Sequence, residues 1–98
     1  MNRPEEILAA LKKGEKSAFQ AFFSEYYEVL VLFASGILKD VDAAEDVVQD
    51  CFVNVWENHH FEKLSDGLDR YMFHLVKNAA LNDLRGSQRR ELRHEKVM

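Results

Sequence analysis

Near the C-terminal end of this chain, His74, Asn78, Asn82, Arg85 and Arg89 follow one another at steps of four, four, three and four. That spacing puts them on one face of a helix. Carboxamides both donate to and accept from base edges. Arg85 and Arg89, with the nearby Lys77, carry charge that neutralises phosphates. Tyr71 and Phe73, just upstream, offer rings on which an unpaired base can stack. Amides, aromatics and cations on one helix suit single-stranded nucleic acid better than a duplex groove. The plainer alternative is a solvated polar face with Tyr71 and Phe73 turned into the core.

A second polar set has the opposite sign. Asp46, Gln49, Asp50, Val53 and Glu57 recur at helical spacing. Exposed carboxylates beside an apolar Val53 can pair with arginines of a partner helix. Ordinary solvation explains such a stripe equally well. His59, His60, His74, His94 and Cys51 raise the question of a metal, but their spacings match no zinc pattern. No glycine-rich phosphate loop, serine–histidine–aspartate order or paired-carboxylate site stands out. A binding protein is expected, not an enzyme, with no metal and no cofactor.

Helices must position both sets. One proline and four glycines leave long stretches unbroken, and no alternating strand pattern occurs. Pro4 suits a first helical turn, with Ile7, Leu8 and Leu11 at helical spacing before Gly14. Ser17 and Gln20 read as a capping box opening a second helix. Its apolar face runs through Phe19, Phe22, Phe23, Tyr26, Leu30, Phe33, Ala34 and Ile37, and the helix should stop near Leu38 or Lys39. Asp42 is a candidate N-cap for a third helix, whose core stripe is Ala44, Val47, Val48, Cys51, Phe52 and Val55. Residues 58–67 read as a polar loop, with Ser65 or Asp66 capping a fourth helix. Leu68, Met72, Leu75 and Ala79 form the core stripe of that helix, helped by Tyr71 and Val76. Gly86 is expected to end it, leaving a basic tail to Met98. The fold class is therefore all-α, a compact bundle of three long helices plus a short N-terminal one.

The 98 residues suit one domain. Apolar residues at 47% and aromatics at 11% exclude a disordered chain. A lone cysteine forms no internal disulfide, and the first residues lack a signal-peptide pattern. The longest aliphatic and aromatic run, Val29 to Ala34, is far short of a membrane span. A reducing, cytoplasmic setting without membrane insertion is expected. Net charge is −4, unevenly spread. Residues 1–69 carry 6 basic and 14 acidic side chains, whereas residues 70–98 carry 7 basic and 3 acidic ones. Acid in front and base behind point to two partners of opposite character.

The run Asp42-Ala43-Ala44-Glu45-Asp46-Val47-Val48-Gln49-Asp50-Cys51-Phe52-Val53-Asn54-Val55-Trp56 resembles the helix by which extracytoplasmic-function sigma factors hold bacterial RNA polymerase. The later run Tyr71-Met72-Phe73-His74-Leu75-Val76-Lys77-Asn78-Ala79-Ala80-Leu81-Asn82-Asp83-Leu84-Arg85 resembles their promoter-melting helix. Ala18 to Tyr27 resembles the opening segment of such proteins. The likeness covers roughly residues 15–90, and the two motifs in order make it specific.

The resemblance implies a role for each matching residue. Asp46, Gln49 and Asp50, with Val53 among them, match the surface that docks on the coiled coil of the polymerase β′ subunit. Tyr71, Lys77, Asn78 and Asn82 match the helix contacting the minus-ten element. The loop from His59 to Gly67, with His60 and Lys63, matches the segment that captures a flipped non-template base, a step favoured when the base is already unpaired. His74, Arg85 and Arg89 extend the expected DNA face. Family members often have tryptophan where Tyr71 stands and arginine where His74 stands. The family pattern implies a sigma region 2 domain over residues 1–90, a basic tail or linker start over 91–98, and a C-terminal helix-turn-helix domain that this chain does not contain. An anti-sigma factor is the implied regulator. A helical protein–protein adaptor with no DNA role is the alternative.

Overall fold

The computed structural model describes residues 4–97, with side chains described as far as residue 86. Four α-helices follow in order: α1 (Pro4–Lys12), α2 (Lys16–Leu38), α3 (Val41–Asn58) and α4 (Leu68–Val97). A short 3-10 turn, His60–Lys63, sits between α3 and α4. The expected all-α bundle is what forms.

The helix ends are set by local chemistry. Gly14, at φ +79°, closes α1. Its amide donates to the Leu11 carbonyl at 2.9 Å, and that of Glu15 to the Ala10 carbonyl at 3.3 Å. This crossed pair satisfies carbonyls that a helix end leaves orphaned, and the left-handed backbone favours glycine there. The expected capping box does not form. α2 starts at Lys16, with Glu15 at the cap making no side-chain bond, and Ser17 lies inside the first turn. The helix opens earlier because the Ala18 amide already donates to the Glu15 carbonyl, at 3.1 Å.

α2 ends where expected, with Lys39 in the left-handed region at φ 59°. The N-cap of α3 is Asp40, not Asp42. Asp40 has extended backbone, and its Oδ1 accepts from the Ala43 amide at 3.2 Å. With Lys39 already turned, Asp40 is the first residue whose carboxylate can reach the free amides of the next helix. The two helices therefore fold back in a tight antiparallel pair.

The core is apolar and largely aromatic. Phe22, Leu30 and Ala34 of α2 meet Ala44, Val48, Phe52 and Val55 of α3, all essentially without exposure. Phe52 is its hub, with ring centroids 5.0 Å from both Phe22 and Phe23 and 6.4 Å from Phe19. Edge-to-face and tilted geometries of this kind add to simple area burial. The buried stripe of α4 is Leu68, Met72, Val76 and Ala80, an unbroken i, i+4 series. Leu75, Ala79 and Tyr71 are only half-buried, so the expected stripe is turned around the helix axis. α4 also runs past Gly86 to Val97 instead of ending there. One glycine inside a helix costs about 1 kcal/mol against alanine, too little to stop it.

α2 is long and apolar enough to cross a membrane by length and composition. Averaging over the helix shows what the short run Val29 to Ala34 hides. Here α2 serves as the central helix, packed on α1, α3 and α4.

Candidate functional site

Two outward faces and one loop carry the residues singled out by their chemistry. On α3, burial of Ala44, Val48, Cys51, Phe52 and Val55 forces Asp46, Gln49, Asp50, Val53 and Glu57 outward, and all five are exposed. Val53 keeps 49% of its surface in solvent. Gln49 Nε2 donates to the Tyr27 hydroxyl at 3.2 Å, tying this face to α2. Among the described residues no ion pair engages Asp46 or Asp50.

On α4 the same logic sends His74, Lys77, Asn78, Asn82 and Arg85 outward, opposite the Leu68–Ala80 stripe. Asn78 Nδ2 lies 3.2 Å from His74 Nε2. Arg89 lies beyond the residues whose side chains are described. Phe73 is partly turned into the core. It is half-buried and meets Phe33 of α2 edge-on at 5.3 Å, because its position falls on the edge of the core face. Tyr71 is half-buried, with its hydroxyl 3.2 Å from His60 Nδ1. Burial, with the Cys51 thiol as a lesser cause, raises the Tyr71 phenol above its ordinary value, so it stays neutral.

The connection between α3 and α4 is more ordered than its polar composition implies. Phe61, 2% exposed, plugs its 3-10 turn into the core beside Trp56, whose ring is 6.1 Å away. Trp56 in turn packs on Phe19 at 4.8 Å. With Phe61 anchored, His60 is held half-buried against Tyr71, while Lys63 is exposed. The sequence reading missed Phe61; a lone aromatic between polar neighbours was its only signal. His60, Tyr71, His74 and Asn78 thus form a line from the loop onto the outer face of α4.

The two faces are also closer than their separate readings imply. Asp50 and Asn54 of α3 and Asn82 and Asp83 of α4 rim one open groove of about 540 Å³ floored by Val47, Cys51, Leu75 and Ala79. Cys51 is pushed up to about 11 by burial and, secondarily, by Asp50, so it is a neutral thiol near pH 7. Neutral thiols are poor nucleophiles and poor metal ligands. Among the described residues no group of three histidine, cysteine or acidic side chains is placed to hold a metal ion. Leu32 and Val41, 72% and 56% exposed, form a further apolar patch beside Tyr27 and Val31. It escaped the periodicity because these residues lie off the core stripes.

A family model described as sigma-70 region 2 matches residues 22–90, which includes α3, the loop and the outer face of α4. The chain belongs to the sigma-70 region 2 family. Sigma-70 region 2 is a transcription-initiation domain that binds core RNA polymerase and promoter DNA, and is not an enzyme. Comparison with curated proteins and with solved structures gives no match. The match begins within α2, at residue 22, and ends within α4, at residue 90.

Proposed function

We propose that this domain is the N-terminal part of an extracytoplasmic-function type sigma factor acting in the cytoplasm. The exposed stripe Asp46, Gln49, Asp50 and Val53 grips the polymerase β′ coiled coil. The loop with His60 and Lys63, and α4 with Tyr71, His74, Lys77, Asn78, Asn82, Arg85 and Arg89, read and hold the melted minus-ten strand. The region 2 unit spans residues 1–90, and an anti-sigma factor regulates it.

One observation carries the reading: two polar faces of opposite charge stand on adjacent helices of a single rigid core. The acidic face suits a basic protein partner, and the amide- and cation-rich face suits an unpaired strand. The net charge of −4 gives no favourable overall field toward duplex DNA. The test is retention on immobilised core polymerase, followed by fluorescence anisotropy with single-stranded and duplex minus-ten DNA. Expected are retention on core enzyme and negligible duplex binding at physiological salt. An adaptor with no DNA role would leave single-strand capture by the polymerase complex unaffected by every substitution on α4.

A further inference from the structure

The groove between α3 and α4 lies between the two faces and is used by neither. Its floor of Val47, Cys51, Leu75 and Ala79 is apolar, and its volume is about 540 Å³. Asp50 stands on the α3 rim and Asp83 on the α4 rim, both exposed. Among the described residues no ion pair engages either carboxylate, and no cationic side chain lines the groove. Cys51 is 5% exposed, and among the described residues its thiol has no hydrogen-bond partner. The groove is thus a trough of uncovered apolar surface between two unneutralised anions.

Those features select among ligands. Phosphates are repelled from both rims, and no aromatic ring lines the floor for a base to stack on. A hard metal ion needs several oxygen ligands, and no group of three suitable side chains is placed for one among the described residues. An arginine side chain fits. Its methylene stem covers apolar floor while its charged head stays at the rim. Its guanidinium is weakly hydrated and has donors enough to reach oxygens on both rims. Continuity indicates where it comes from. Asp50 belongs both to this rim and to the exposed α3 stripe with Asp46 and Val53, so a protein seated on that stripe has the groove at its edge. We infer that the protein docked on the acidic face of α3 inserts an arginine side chain into the α3–α4 groove, between Asp50 and Asp83. This rests on the proposal that the docked protein is core polymerase. Asp83 then belongs to the protein footprint, although it stands on the helix assigned to DNA.

The experiment uses the full-length protein, purified core polymerase and a panel of minus-ten single strands. Affinity for core polymerase and strand capture by the complex are measured separately. Asp83→Asn should weaken polymerase binding about ten-fold, the loss expected for one charged hydrogen-bonded contact. Asp83→Glu, which keeps the charge, should restore most of it. Ala79→Met fills the groove floor without changing charge and should weaken binding about as much. The double variant should bind no more weakly than either single one, because both remove the same contact. Strand capture per bound polymerase and circular dichroism should be unchanged. Asp46→Arg tests the underlying reading, since Asp46 lies off the groove. If it and every groove variant leave polymerase affinity unchanged, docking on α3 fails and this inference with it. If Asp46→Arg weakens binding but Asp83→Asn does not, docking on α3 stands and the inserted arginine is overturned. Loss with Asp83→Asn but not with Ala79→Met would overturn insertion into the groove. Stronger strand capture by Asp83→Asn at unchanged polymerase affinity would give the groove to nucleic acid instead.

Discussion

The outer faces of α3 and α4 are both polar, yet they are organised differently. On α3, Asp46 and Asp50 stand out with no ion-pair partner among the described residues, Gln49 is tied back to Tyr27, and only at the helix end does Asn58 donate to Asn54. On α4 and its preceding loop, polar groups are linked to one another first: Tyr71 to His60, and Asn78 to His74. Free carboxylates recognise charge and tolerate some slack in position, because Coulomb attraction is weakly directional. Amides and ring nitrogens recognise donors and acceptors, which demands fixed orientation. On the proposed reading, the difference lets one small domain grip a protein by charge and distinguish bases by geometry.

Removing the shared support should collapse the contrast altogether. Phe52→Ala empties the hub of the aromatic cluster and should cost about 3–5 kcal/mol of stability. Thermal unfolding would show it, and polymerase retention and strand capture should fall together. Loss of one activity alone would mean that the two faces do not depend on a common core.

Charge reversal should separate the faces. Asp46→Arg or Asp50→Arg should weaken core-polymerase binding by about 2–5 kcal/mol if the pair it breaks is desolvated. Circular dichroism should be unchanged, since both side chains are exposed. Unaltered affinity in both variants would remove the acidic stripe from the polymerase footprint.

A smaller effect should follow on the other helix. Arg85→Ala should weaken single-strand capture across all sequences and reduce the salt slope by roughly 0.7–1 unit. A change in base preference instead would mean that Arg85 reads sequence and does not merely hold phosphate. The smallest effect is expected at a point both faces share only through the backbone. Asp40→Ala removes the cap of α3 and should cost about 1 kcal/mol, with base preference untouched. A denaturant midpoint measures the first part, and the minus-ten panel checks the second.

Much of the architecture was legible along the chain because helical periodicity is a local property. Val48 and Phe52 had to turn inward once the apolar positions recurred every three or four residues, and Asp46 and Asp50 then had to turn outward. The same arithmetic put Asn78, Asn82 and Arg85 on one face. Caps were less legible. Ser17 and Asp42 have the right chemistry, but the Ala18 amide bonding back to Glu15 and the left-handed turn at Lys39 put the helix starts at Lys16 and Val41. Several residues qualify as caps in a short window, and packing several residues away chooses among them.

Residue types and their spacing by themselves determined the helical class, the order of the elements and the separation of acidic from basic halves, while the family came from the resemblance of whole runs of residues to known ones. Tertiary structure alone decided what lies between elements. It buried Phe61 and so made an ordered turn of an apparently polar loop. It set Phe73 half-buried against Phe33, and it put Asp50 and Asn82 on the rims of one groove. The physical reason is range: periodicity and capping act over one or two turns, whereas contacts between helices depend on how whole faces dock around a shared core.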